Sequence, residues 1–249
     1  MNVLLIRFSV PFSLRLSGSA LKIIAVISMV IDHCAYFLME QGTPMYETMR
    51  CIGRIAFPVF AFLIAEGFAY TRNRTHYFLA IFGFAIISEI PWNLLNGADG
   101  THNVMFTLAL GVASLAVFDR LCENRVLCLI ALGLILLFAY LIGVDYDWRG
   151  VLMIVLFYML RRHTIVPWAD KSKTNYSTQA IRQIFMFPLM MHYGIAGAVL
   201  ATIVIFLYDG TRGHIKGAVA KYSFYAFYVL HLLLIIYIKL FHANSNLNA

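Results

Sequence analysis

The feature that most constrains this chain is a succession of apolar runs parted by short polar breaks, at residues 21–39, 51–70, 77–95, 104–118, 126–142, 151–160, 184–207 and 222–241. Lipid offers no partner to a free backbone N–H or C=O, so a segment crosses it as a helix, and about 20 mostly apolar residues span the hydrocarbon. The pattern predicts an all-α fold, a polytopic transmembrane helix bundle of about 8 spans. The alternative is 9 or 10 spans, because run 151–160 is short and run 184–207 contains Pro188. A proline inside a helix removes one hydrogen bond and crowds the preceding turn, so the region 183–207 can break in two. Composition leaves no separate soluble domain: 61% of residues are hydrophobic and 12% charged, against about 25% charged in soluble domains.

The expected organisation is a cytoplasmic lead-in over residues 1–20, a membrane domain over 21–242 and a frayed Asn-rich tail over 243–249. Arg15 follows the short apolar stretch of the lead-in and no small-x-small cleavage pattern comes after it, which argues against a cleaved signal. Cytoplasmic loops are enriched in Lys and Arg. Arg7, Arg15, Lys22, Arg72, Arg74, Arg120, Arg125, Arg161, Arg162, Lys171, Lys173 and Arg182 fall on one side if the N-terminus is cytoplasmic, and Glu40, Glu47, Asp99, Asp145 and Asp147 on the other. The expected location is therefore the cell inner membrane, multi-pass, with the N-terminus inside. Arg212, Lys216 and Lys221 would be external with eight spans, and a ninth span brings them inside. The net charge of +7 then reflects topology, and no nucleic-acid partner is expected because the basic residues form no aromatic-interleaved patch. Cys34, Cys51, Cys122 and Cys128 form no C-x-x-C pair, so neither a metal site nor a disulfide frame is expected.

Ionisable side chains within hydrocarbon are expensive and tend to face the bundle interior, where they mark sites or pathways. The first span carries Asp32 and His33, the second Arg54 and Glu66, the third Glu89 and Asn93, and the last His231. Eleven helical steps bring Lys22 and His33 to one face, about 16 Å apart, so the pair could address one cavity at two depths. The plainer reading is a snorkelling lysine and a histidine bonded to a neighbouring helix. Asp32 diverges from that face by about 100° and must look elsewhere. Arg54 and Glu66 are too far apart to pair on one helix; Glu66 could ion-pair with Arg72 or Arg74 nearby. Glu89 with Asn93, and Asn103 with Thr107, form polar stripes at i, i+4 spacing, explicable as interhelical hydrogen bonding or as one side of a site. His231 follows an aromatic-rich entry and reads first as a structural histidine.

The ordered motifs Leu21-Lys22-Ile23, Ile31-Asp32-His33, Gly53-Arg54-Ile55-Ala56-Phe57-Pro58, Glu66-Gly67, Thr71-Arg72-Asn73, Ile87-Ser88-Glu89-Ile90-Pro91, Asn103-Val104-Met105-Phe106-Thr107-Leu108, Leu207-Tyr208-Asp209-Gly210 and Tyr225-Ala226-Phe227-Tyr228-Val229-Leu230-His231 resemble the TraX family of membrane proteins. Val229 and Asp209 depart from the proline and asparagine common there. Named members of that family are linked to N-terminal acetylation of conjugative pilin. The Lys22-x10-His33 spacing is also similar, more distantly, to an Arg/Lys-x10-His motif of transmembrane acyltransferases that modify surface sugars. These resemblances imply an acetyl-CoA-dependent membrane acyltransferase acting on an envelope acceptor, a peptide N-terminus or a glycan. They imply His33 as the essential histidine and Lys22 as its cationic companion.

Acyl transfer needs a base or nucleophile and a cation or donor for the oxyanion. His33 suits the first role and Arg54 the second, with Lys22 and Asp32 grouped beside them as catalytic candidates. Glu66, Glu89, Asn93, Asn103, Thr107 and His231 are candidates for binding substrate, and Arg72, Arg74 and Arg162 for the phosphates of acetyl-CoA. No metal is expected. Two other classes fit the same residues: a small proton-coupled transporter or export factor using Asp32, His33, Glu66 and Glu89, and a non-catalytic appendage assembly protein.

Overall fold

The computed structural model describes residues 14–162, 176–215 and 217–247. Among them the chain forms ten helices: α1 (Gly18–Leu38), α2 (Pro44–Gly53), α3 (Ala56–Tyr70), α4 (Arg74–Asn96), α5 (Val104–Leu121), α6 (Arg125–Leu141), α7 (Asp147–Arg162), α8 (Tyr176–Met191), α9 (Ile195–Phe206) and α10 (Ala218–Leu247). Local chemistry sets several of the starts. Ser17, Thr43, Asn73, Asn103 and Asn124 each accept a hydrogen bond from an otherwise orphaned N–H of the first turn, and Pro44 opens α2 where no N–H is needed. Among the described residues five stretches are long and apolar enough to cross a membrane: Gly18–Leu38, Pro44–Tyr70, Arg74–Asn96, Val104–Leu121 and Val219–His242. The chain is thus a multi-pass, helical membrane protein. Residues of α6 and α10 such as Leu129, Leu134, Leu141, Leu230 and Phe241 face outward, as expected of helices solvated by lipid.

Helix α3 is the axis of the bundle, packed against α1, α5, α7 and α9, and it buries Phe57, Phe62 and Phe68. Its entry is broken. At Arg54–Ile55 the α2 helix ends and α3 begins, which makes one interrupted crossing of two half-helices. The uninterrupted run expected from residue 51 is therefore revised: the passage begins at Pro44 and carries Glu47 and Arg50 within it. Such breaks are tolerated at membrane depth where they line a cavity.

Run 184–207 is also divided, at residues 192–194, between α8 and α9. The end of α9 returns to the start of α1, where Leu16 N–H bonds Leu207 O at 2.8 Å, Asp209 N–H bonds Leu16 O at 2.9 Å and Gly18 N–H bonds Thr211 O at 2.8 Å. Arg212 therefore stands beside the first turn of α1, which corrects the placement an eight-span reading gave it. The two ends of the bundle differ in charge. One gathers Arg15, Lys22, Arg72, Arg74, Arg125, Arg161, Arg212 and Lys221; the other gathers Glu40, Glu47, Asp99, Asp145 and Asp147. At the basic end Arg74 pairs with Asp119 at 2.6 Å, and Tyr158 donates to the same carboxylate. The α10 helix runs to Leu247, so the Asn-rich stretch begins inside it.

Candidate functional site

At the acidic end the helices part around a cavity of about 360 Å³. Its wall is built from α1 (Met29, Asp32, His33, Tyr36), the α2–α3 break (Arg50, Gly53, Arg54, Phe57), the end of α4 (Trp92) and the α8–α9 turn (Tyr193), and is closed by the α6–α7 loop (Asp145, Tyr146) and the first residue of α7 (Asp147). Each charge has a structural cause. Asp32 diverges from His33 around α1 and meets Arg50 at 2.5 Å, with the Arg50 guanidinium also 5.0 Å over the Tyr36 ring. A Cβ on Gly53 would lie 2.1 Å from Asp32 Oδ1, so only glycine admits the carboxylate there. A Cβ on Gly197 would lie 2.3 Å from Arg54 Cβ, so α9 yields at that point to let the Arg54 stem pass. Arg54 faces the Tyr146 hydroxyl and the carboxylates of Asp32 and Asp145. Tyr146 is in turn stacked on Phe57 at 3.7 Å between ring centroids.

His33 is tied to His231 of α10, His33 Nδ1 to His231 Nε2 at 2.7 Å, with the rings stacked at 13°. His231 Nδ1 lies 3.0 Å from the Phe227 carbonyl. A carbonyl only accepts, so His231 carries its proton on Nδ1 and presents a bare Nε2. His33 Nδ1 is then the donor of the shared bond. By elimination His33 Nε2 is unprotonated, and since His231 does not line the cavity, Nε2 is the ring nitrogen left to it. Phe37, Trp92 and Tyr228 surround the His33 ring at 5.8–6.3 Å and hold its plane. A neutral imidazole fixed in one tautomer can accept a proton on its other nitrogen.

The loop side of the cavity is pH-sensitive. Burial pushes the Asp145 carboxyl up to about 7, against the hydrogen bond from the Tyr146 N–H and the pull of Arg54 and Arg50, and the nearby Asp32 charge adds to the rise. The folded state thus holds this proton more tightly than the unfolded chain. The resulting stabilisation is complete below the ordinary carboxylate range and is lost as pH rises through about 7. Asp145→Asn mimics the protonated form, so its melting temperature relative to wild type should rise between about pH 5 and about pH 8. A difference that stays flat over that interval in detergent melts would show that Asp145 is ionised throughout.

A sequence model described as TraX protein matches residues 17–239. The chain belongs to the TraX family. A TraX-type relative, the "Probable fimbrial assembly protein FimC, serogroup H1" of Dichelobacter nodosus, is 32% identical over 245 residues, covering 90% of this chain and 96% of that protein. An uncharacterized protein of Rickettsia prowazekii (strain Madrid E) is 30% identical over 139 residues, 55% of this chain and 52% of its own length. No solved structure matches.

Of the residues that the TraX resemblance and the polar pattern single out, the structure gathers His33, Asp32 and Arg54 at one cavity and brings His231 against His33. Lys22 shares the His33 face of α1 but lines no part of the cavity; its ammonium lies 5.8 Å over Phe224. Glu66 meets Arg161 at 2.9 Å at the basic end, so its partner is neither Arg72 nor Arg74. Glu89 receives His102 Nδ1 and Asn103 Nδ2, both at 2.5 Å, and the Asn103 N–H at 3.2 Å, while Asn103 Nδ2 also reaches Ala85 O. These bonds staple the α4–α5 turn. The Thr107 hydroxyl donates to the Asp145 carbonyl and so supports the loop behind the cavity. Asn93 does not join them; the α4 residues at the cavity are Trp92 and Asn96. Arg72 is exposed at the basic end, and the side chain of Arg162 lies outside the described residues. Arg50, Trp92, Asp145, Tyr146 and Tyr193 complete the TraX cavity without having been singled out as site residues. Arg50 had a signal, since it stands one helical turn before Arg54.

Proposed function

We propose that this chain is an integral membrane acyltransferase, passing an acetyl group from acetyl-CoA to an envelope acceptor at the acidic-end cavity. The observation that carries this reading is that His33, held by His231 in one tautomer, lines the same cavity as Arg50 and Arg54. His33 takes the proton from the acceptor N–H or O–H as that atom forms its bond to the acyl carbonyl. Arg54, with Arg50 behind it, faces the oxyanion. The proton on His33 then returns to the departing thiolate as the carbon–sulfur bond breaks, so protons balance over the cycle.

Acetyl-CoA supplies the acetyl group and the thiol that leaves. The cavity suits the reacting end of such a donor, with a base, two cations and aromatic walls. Arg74 stands 18 residues of α4 from Trp92, about 27 Å away, and it is paired with Asp119. The lining goes no deeper than Met29 and Phe60, above the buried Leu21, Ala25, Phe62 and Phe68. Arg72 and Arg74 thus line no part of this cavity. At the mouth, Asp99 favours a cationic acceptor, and a peptide α-amine suits it better than a lysine because its pKa near 8 leaves a usable neutral fraction at physiological pH.

A second reading, appendage assembly without chemistry, draws support from the printed name of the Dichelobacter relative. Mass spectrometry of envelope peptides and glycans, with and without the protein, separates the two. A missing acetyl mass that only active protein restores supports transfer. Normal appendages with an unchanged acetylation pattern, in cells carrying His33→Asn, would leave assembly alone standing.

The proposed setting is the inner membrane, crossed nine times with α2 and α3 as one passage and the basic end in the cytoplasm. A cysteine placed at Asp99 should react with an impermeant thiol reagent in intact cells, while cysteines at Arg72 and Arg125 should not. Reversal of that pattern would turn the molecule over.

A further inference from the structure

The hairpin of α8 and α9 carries a second cavity, of about 430 Å³, lined by Gln183, Ile184, Phe187, Pro188, Thr202 and Phe206. Its size is in the range of ligand pockets. It is apolar except at one point. Gln183 is 4% exposed, yet neither its Nε2 nor its Oε1 has a partner. A buried amide left unsatisfied in this way is costly and calls for a ligand or water that completes it. The Thr202 hydroxyl does not serve, being turned to the Met190 sulfur at 3.9 Å. Pro188 has no N–H, so the Ile184 carbonyl also lacks its ordinary helical donor.

The groove opens sideways. Ile184 is 70% exposed and Phe185 57%, and the proposed nine-span setting, on which this inference rests, puts their helices in the bilayer, so the groove's open side meets lipid tails. Helices α8 and α9 run antiparallel through the turn at 192–194, with Gln183 level with Thr202, one turn inside Phe206 at the basic end. In that setting the depth is near the boundary between acyl chains and headgroups, where lipid ester carbonyls lie.

We propose that this groove binds a glycerophospholipid of the basic-end leaflet. One acyl chain lies along Ile184, Phe187, Pro188 and Phe206. An ester carbonyl accepts from Gln183 Nε2, and a headgroup N–H or O–H donates to Oε1. A lipid meets both needs of the site, since it brings apolar length and an acceptor that hydrocarbon lacks. This assignment is independent of acyl transfer.

The test uses the full chain in nanodiscs of phosphatidylethanolamine and phosphatidylglycerol, doped with a phospholipid bearing a diazirine in its acyl chain. After irradiation, peptide mapping should place cross-links preferentially at residues 183–188 and 202–206, above those on the lipid-facing α6 helix. Gln183→Leu should lower the groove labelling roughly fivefold, the scale of one net hydrogen bond, with the protein still folded. Thr202→Phe fills the groove with Gln183 intact and should lower labelling too, which keeps the test open if the first variant folds poorly. Labelling equal to that of α6, or unchanged in a folded variant, overturns the assignment.

Discussion

His33→Asn is expected to lower acyl transfer about a hundredfold or more, the usual scale of losing a general base, while insertion and melting temperature stay close to wild type. Asparagine can still donate to His231 Nε2, so the bond that joins α1 to α10 survives the change. What it lacks is a nitrogen that accepts and returns a proton near neutral pH. The structure adds a second arm. His231→Phe keeps a flat ring but removes the acceptor that holds the His33 proton on Nδ1, so His33 can place its proton on either nitrogen. This variant should lose kcat with KM nearly unchanged, because the damage is to the base and not to acceptor binding. Transfer by reconstituted protein, from acetyl-CoA to a peptide with a free α-amine, checks both. Near wild-type transfer by His33→Asn would remove the base from the mechanism.

Arg50→Met should destabilise the protein by about 3 kcal/mol, the lower part of the range for breaking a buried ion pair, since Arg54 remains close to the abandoned carboxylate. Asp32 Oδ1 already has no hydrogen-bond partner, and the pair is only 14–16% exposed, so the loss of Arg50 leaves a largely buried carboxylate without its bonded cation. The double variant Asp32→Leu/Arg50→Met should recover much of that loss, because an apolar pair replaces a charge instead of stranding it. Thermal unfolding of the four proteins in one detergent measures the coupling. Additive losses would show that Asp32 and Arg50 do not depend on each other.

The bundle was legible because apolar length is a one-dimensional property, and Leu21, Ile81 or Leu115 announces burial in lipid or in a core equally well. The breaks were harder to read. Pro188 points to an interruption, yet α8 runs through it and the chain turns at His192-Tyr193-Gly194, where Gly194 takes a φ of 122°. Arg50 lay just outside the apolar run from residue 51, because its charge is neutralised by Asp32 on a different helix and no local pattern records that pairing. The same holds for His231: 198 residues separate it from His33, and only folding shows that one imidazole sets the tautomer of the other. Glu66 and Glu89 looked alike as buried carboxylates, but one serves an ion pair at the basic end and the other a turn at the acidic end.

The contact between the α9–α10 connection and the start of α1 acts at a distance. Ser19 donates to Arg212 O at 2.9 Å and accepts the Ile215 N–H at 3.0 Å, beside the backbone ladder from Leu16 to Thr211. These bonds fix how far α10 can slide along α1. A slip of one residue, about 1.5 Å, would break the 2.7 Å bond between the two imidazoles at the far end. The knot at the basic end is therefore a gauge for the histidine pair, and a partner that loosened it from that side would shift the two imidazoles without ever entering the cavity.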